Sequence, residues 1–292
     1  MSDEESGASG EDGDGDRTTR PRETVLITGC SSGIGRATAL SFREAGWHVY
    51  ATARDVDDIR DLTEAGCEID TLDVTEPEDV ADVVDRIATE RGRLDCLVNN
   101  AGYGQVGPVE AVPTAVLEEQ FEVNVYGPHR LIREALPHMR EAESGTVINV
   151  SSVAGQLAIP GGGVYSGSKF ALEAMSDALR FELRQYDVDV TIVQPGPVES
   201  RFADRSEEQL AALDRADVYP WFEDLFEDRR ALDDAPGVAH PQTVAEAILE
   251  SAETTNPPTR YPVGAIASLG LKLRYLPDRI RDVAFRFIRN LV

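Results

Sequence analysis

Lysine is nearly missing from this chain: of 28 lysine and arginine residues, only Lys169 and Lys272 are lysines. Basic charge is scarce altogether, because 53 aspartates and glutamates leave a formal net charge of −25 and a sequence pI near 4.4. A surface this negative repels phosphate backbones, which argues against general nucleic-acid binding. Cysteine is sparse as well. Cys30, Cys67 and Cys96 form no CxxC pair and no Cys/His cluster, so neither a disulfide framework nor a metal site is expected. They read as small buried hydrophobes in a reducing compartment. No run reaches the roughly 18 apolar residues of a membrane span, and the acidic start carries no apolar secretory core. The expected setting is the cytoplasm.

What is present suffices for a full core: 41% of the 292 residues are hydrophobic. Residues 1–22 are Gly, Ser and acid without periodicity and are expected to form a disordered acidic tail. Carboxylates hold water and cations, high salt screens their repulsion, and arginine pairs with them more efficiently than lysine. The composition therefore reads as adaptation to a salt-rich cytoplasm.

Short apolar runs then alternate with helical patterns. Strands are expected at Thr24–Thr28, Trp47–Thr52, Ile69–Leu72, Leu94–Val98, Thr146–Val150 and Val188–Val193. Helices are expected at Ala37–Gly46, Asp55–Ala65, Glu76–Arg91, Val116–Arg140 (bent near Pro128) and Tyr165–Tyr186. That alternation predicts an α/β fold with a single Rossmann-type, doubly wound parallel sheet and helices on both faces. Residues 23–262 are assigned to this catalytic domain, with 196–240 as a helical lid. Residues 263–292 are a basic amphipathic extension, where Lys272, Arg274, Arg279, Arg281, Arg286 and Arg289 face only Asp278 and Asp282.

On such sheets chemistry sits in the loops that follow strands. The first strand runs into Thr28-Gly29-Cys30-Ser31-Ser32-Gly33-Ile34-Gly35, a TGxxxGxG pattern that opens directly into a helix. Glycines there permit a tight turn and bring backbone N–H groups to a pyrophosphate at the positive helix end. Tyr165 and Lys169 stand four apart on a helix and so share a face. A phenol is a poor acid–base group near neutrality, and a neighbouring ammonium stabilises its phenolate. In a chain almost without lysine, Lys169 is conspicuous. Ser151-Ser152 follows the fifth strand, at the same edge of the sheet.

Together these pieces resemble the short-chain dehydrogenase/reductase family over about residues 23–200. Asp73 in Leu72-Asp-Val-Thr75 matches the family's adenine-contacting position, with Val74 beside it, and Asn99-Asn100-Ala101-Gly102 matches its NNAG segment. Asn124 matches its helix asparagine, Tyr165-x-x-x-Lys169 its defining pair, and Pro195-Gly196-Pro197-Val198 its nicotinamide-side segment. The resemblance implies that Tyr165 is the acid/base, Ser152 polarises the substrate oxygen and Lys169 binds the nicotinamide ribose. Asn124 is implied to hold a water in a proton relay. Gly29, Ser31, Ser32, Gly33, Ile34 and Gly35 would line the cofactor, and no metal is implied. An acid closing the second strand would favour NAD; here Ala53 is followed by Arg54, which suits a 2′-phosphate, while Asp55 can neutralise Arg54 or cap the next helix. NADP(H) is the expected cofactor, with NAD(H) as the second choice.

The expected reaction interconverts a carbonyl and an alcohol. Ile159, Val164, Phe202, Trp221 and Phe222 suggest an apolar pocket for a bulky or lipophilic substrate. The alternative is a non-catalytic NADP-binding regulator, which would usually lose the tyrosine or the lysine. A sugar-nucleotide epimerase shares the Tyr/Lys pair but carries a different glycine loop. A homo-oligomer is implied, and the basic extension is expected to pack on the acidic body or across a subunit interface, with weak peripheral membrane contact as the second reading.

Overall fold

The computed structural model describes residues 23–199, 218–219, 222 and 237–283. The acidic tail, most of the segment expected as a lid (with Phe202 and Trp221) and residues 284–292 lie outside them. Seven strands build one wholly parallel sheet: β1 Thr24–Thr28, β2 His48–Ala53, β3 Glu68–Thr71, β4 Cys96–Asn99, β5 Gly145–Val150, β6 Val188–Pro195 and β7 Arg260–Val263. Their order is β3-β2-β1-β4-β5-β6-β7. Seven α-helices lie wholly within the described residues: α1 Gly33–Glu44, α2 Pro77–Arg91, α3 Thr114–Phe121, α4 Gly127–Ala142, α5 Gly163–Glu182, α6 Pro241–Glu253 and α7 Ala265–Gly270.

The doubly wound arrangement follows from strand periodicity. Successive side chains of β1 point to opposite faces, so Val25 and Ile27 enter one core and Leu26 the other. Val25 and Ile27 pack among Ala39, Phe42, Val244 and Ile248 from α1 and α6. Leu26 and Leu97 pack among Val83, Ile87, Leu131 and Met139 from α2 and α4. Both faces are therefore covered, which is why the strands are continuous apolar runs.

Three elements differ from expectation. Residues 55–65 form a 3-10 helix, Val56–Thr63, whose cap is Asp55: its Oδ1 accepts the Asp57 N–H at 2.9 Å. The long Val116–Arg140 helix is interrupted, with a π turn at Glu122–Tyr126 between α3 and α4. Pro128 has no N–H to offer the Asn124 carbonyl four residues earlier, and the ladder widens just before it. Beyond residue 240 the chain resumes the fold, with α6 against α1 through a Gln242 Nε2–Ser41 Oγ bond of 3.0 Å. There β7 extends the sheet as an edge strand, which tolerates Pro262. The basic extension starts as α7 and a 3-10 turn, Leu271–Tyr275; Ala267 is buried while Leu269, Tyr275 and Ile280 are exposed. Among the described residues, no helix is long and apolar enough to cross a membrane.

Candidate active site

The strand order reverses at β1 and β4, and the loops leaving the carboxyl ends of these strands meet there. Thr28, which closes β1, is the knot. Its Oγ1 accepts the N–H groups of Asn100 (3.1 Å) and Ala101 (3.0 Å), and the Asn100 amide donates to the Thr28 carbonyl at 2.8 Å and to that of Gly29 at 3.2 Å. The two loops are thus one construction. Gly29 sits at φ +75, and a Cβ on Gly35 would stand 2.3 Å from the Gly29 carbonyl oxygen. Only glycine lets α1 start this close to the strand. The end of α1 carries no side-chain cap from Ser32 and no acid in its first turn. Its N–H groups and positive dipole end therefore suit a diphosphate, and the donor set fits the cofactor that the glycine pattern implies. Ser31, Ser32, Gly33 and Ile34 all belong to this turn. Cys30 does not take part: it is buried, and burial pushes its thiol up to about 12.

Arg54 follows β2 and is exposed. Asp55 is engaged as a cap, so of its two sequence readings the capping one is realised. Asp73 and Val74 follow β3. One Asp73 oxygen accepts both the N–H (2.9 Å) and the hydroxyl (2.8 Å) of Thr75, which fixes this turn. Val74 is buried against Gly127.

The residues expected from the sequence to handle the proton come from three elements. Ser152, just past β5, caps a short 3-10 turn, its Oγ accepting the Ala154 N–H at 3.1 Å. Tyr165 and Lys169 lie on the first two turns of α5, with Nζ 5.9 Å from the centre of the phenol ring. Lys169 is only 5% exposed; Nζ donates to the Val150 carbonyl at 2.9 Å and lies 3.6 Å from the Cβ position of Gly102. Burial pushes its ammonium down from 10.5 to about 8, against the nearby Glu173 carboxylate, which favours the cation. Asn124, fully buried in the π turn, accepts the Tyr103 N–H (3.2 Å) and donates to the Tyr103 carbonyl (2.9 Å) and Ser168 Oγ (3.1 Å). Its side chain therefore secures the segment after Gly102.

Pro195, Gly196 and Val198 leave β6 at the same edge. The Gly196 N–H donates to the Val263 carbonyl at 3.1 Å, and Val198 bridges Ala239. Phe222 is buried against Gly161, placing one aromatic of the expected lid over the 156–163 loop. Among the described residues, the candidates for the cofactor loop, Asp73, Asn100–Gly102, Ser152 and Pro195–Val198 lie on segments at or just past the carboxyl ends of the parallel strands. A second layer escaped sequence reasoning: buried Glu173, with Gln156, Gln194 and Arg260 around it. The available signal was its spacing, since an acid four residues after Lys169 falls on the helix face that the catalytic pair occupies.

Comparison with known proteins agrees with this geometry. The family model for short chain dehydrogenases matches residues 23–211. The uncharacterized oxidoreductase YbbO of Escherichia coli K12 is 36% identical over 269 residues, covering 89% of this chain and 93% of that protein. The 3-ketodihydrosphingosine reductase of Bacteroides thetaiotaomicron is 34% identical, covering 90% and 97%. The crystal structure of a short-chain dehydrogenase from Streptomyces avermitilis superposes with a TM-score of 0.76 at 33% identity, covering 93% of this chain and 97% of that one. Two further structures hold a cofactor. One from Burkholderia phymatum is in complex with NAD (TM-score 0.74, 25% identity, 87% and 93% covered), and a metagenomic one is in complex with NADP (TM-score 0.63, 27% identity, 82% and 95% covered). With the glycine turn, the knotted β1 and β4 loops and the Tyr165–Lys169 face on one sheet edge, the chain belongs to the short-chain dehydrogenase family of oxidoreductases.

Proposed function

We propose that this protein interconverts a carbonyl compound and an alcohol with a nicotinamide cofactor, working mainly with NADPH in the direction of reduction. The observation that carries the reading is Lys169: a buried lysine, in a chain with two, set on the same helix face as Tyr165 with Nζ 5.9 Å from its ring. A bound nicotinamide supplies hydride to the carbonyl carbon, or accepts it in the reverse direction. Ser152 holds and polarises the substrate oxygen. Tyr165 gives that oxygen its proton in reduction and takes one in oxidation. Lys169 stabilises the phenolate so formed and is placed to bind the ribose hydroxyls. The Asn124 carbonyl, which Pro128 leaves without its α-helical donor, offers an acceptor for the water of a proton relay to Lys169.

The α1 turn, Asp73, Val74, Asn100, Ala101, Gly102, Pro195, Gly196 and Val198 are assigned to the cofactor. Arg54, exposed and without an ion pair among the described residues, is assigned to a 2′-phosphate, since its neighbour Asp55 is occupied as a cap. Phe222 over Gly161 and buried Val164 support a bulky or lipophilic substrate, as does the name of the Bacteroides relative. Exposed Phe170 and Phe181 on α5 support a homo-oligomer built on that helix.

The test is NADPH oxidation over a panel of ketones and aldehydes in high salt, with Tyr165→Phe as the control. Turnover that Tyr165→Phe lowers by several orders of magnitude supports the reading. Turnover within a few-fold of wild type in that variant refutes the role of Tyr165. Tight NADPH binding with silence across the panel points instead to the regulator.

A further inference from the structure

Glu173 lies four residues beyond Lys169 on α5 and is 3% exposed. Both of its oxygens are fully used. Oε1 accepts the Ser151 hydroxyl at 3.0 Å and the Gln194 amide at 2.7 Å; Oε2 accepts the Gln156 amide at 2.6 Å and Arg260 Nε at 3.1 Å. A buried acid kept only for stability needs a counter-ion, and Arg260 on β7 provides one. The other three donors are neutral, and two of them, Ser151 and Gln156, bracket Ser152. The intervening backbone presses on the same carboxylate: a Cβ on Gly155 would stand 2.5 Å from Ser151 Oγ and 2.9 Å from Glu173 Oε1.

We propose that Glu173 is a positioning residue: it clamps the 151–156 loop against α5, which sets Ser152 relative to Tyr165, and its carboxylate, one helical turn beyond Lys169, is the counter-charge of that ammonium. This rests on the roles proposed above for Ser152, Tyr165 and Lys169. The electrostatic half follows from what faces Lys169. Tyr165 and Glu173 come from its own helix, the Val150 carbonyl from β5, Gly102 from the loop after β4 and Asn124 from the π turn. Among these only Glu173 is charged. Arg260 stands behind it, shared with Asp177 at 2.7 Å, which Arg180 also holds at 2.8 Å. The Arg260 cation therefore opposes the field of Glu173 at Lys169. Removing one or the other moves the Lys169 proton in opposite directions.

Three variants of the full chain, Glu173→Gln, Arg260→Gln and Tyr165→Phe, are compared with wild type. The readouts are kcat, KM, the pH profile of kcat/KM, and NADPH affinity by fluorescence titration. An amide has one acceptor oxygen, so Glu173→Gln releases one pair of donors; kcat is expected to fall about ten- to a hundredfold, with NADPH affinity changed less than about threefold. Its alkaline limb moves to lower pH by roughly half a unit or more, because the neighbouring opposite charge is gone. The limb of Arg260→Gln moves to higher pH. Limbs that stay in place, or both moving the same way, overturn the proposal, and so does a loss confined to NADPH affinity. If Tyr165→Phe keeps its activity, the underlying roles fail; if it is inactive while Glu173→Gln behaves as wild type, only the positioning role fails. Should Glu173→Gln not fold, Arg260→Gln decides alone: an upward limb supports the proposal and any other result refutes it.

Discussion

Replacing Lys169 with methionine is expected to stabilise the protein near neutral pH while it destroys activity. Nζ is buried, and burial draws the ammonium from 10.5 down to about 8. Below pH 8 the folded protein carries a cation that the unfolded chain keeps in water, and that difference costs about 3 kcal/mol of stability. Methionine fills a similar volume without the charge. It forfeits the hydrogen bond from Nζ to the Val150 carbonyl, worth about 1 kcal/mol, so the net gain near pH 7 is about 2 kcal/mol. The dependence on pH has a definite sign. Between pH 8 and 10.5 the folded protein has released the proton while the unfolded chain still binds it, so wild type recovers stability as pH rises. By the top of that window the penalty is gone and the hydrogen bond leaves wild type ahead by about 1 kcal/mol. Guanidinium unfolding of both proteins at pH 7 and pH 10.5 measures the gap, which must shrink and reverse. A gap that is the same at both pH values refutes the reasoning, because it would mean that Nζ is solvated.

Gly35→Ala is expected to cost about 1–3 kcal/mol and to weaken cofactor binding at least about tenfold, because a Cβ 2.3 Å from the Gly29 carbonyl must push α1 off the strand. A melting curve and a cofactor titration like those of wild type would remove the close-approach argument. Arg54→Ala is expected to lower kcat/KM with NADPH about ten- to a hundredfold and to leave NADH nearly unchanged, as befits one charge-assisted contact. Equal losses with both cofactors would take Arg54 away from the 2′-phosphate.

The alternation of apolar runs and helices made the first six strands legible, and the loops after them could be named residue by residue because parallel topology sends every one to the same edge. Tyr165 and Lys169 were readable since four residues make one helical turn, a relation internal to the sequence. The π turn at Glu122–Tyr126 was not read as such, although Pro128 marked the place; a missing N–H says that the ladder must change, not how. Strand β7 was overlooked because Arg260-Tyr-Pro-Val263 is short, contains proline and becomes a strand only by pairing with β6. Glu173 is the instructive case. Its charge on a buried helix face was visible, but its meaning depends on Arg260, 87 residues away in sequence, and no local pattern encodes that meeting.

The knot at Thr28 has a consequence for how the protein acquires its nucleotide site during folding. All the glycines of the loop lie between residues 29 and 35, yet the groups that tie it down, Asn100 and Ala101, arrive about 70 residues later. An N-terminal fragment comprising β1, α1, β2, β3 and α2 would contain the entire sequence motif and would lack its fastening. The dinucleotide site proposed for this loop therefore depends on long-range contact and is complete only when β4 is paired with β1. A ligand that binds only the fastened form stabilises it by mass action and so reports on that docking.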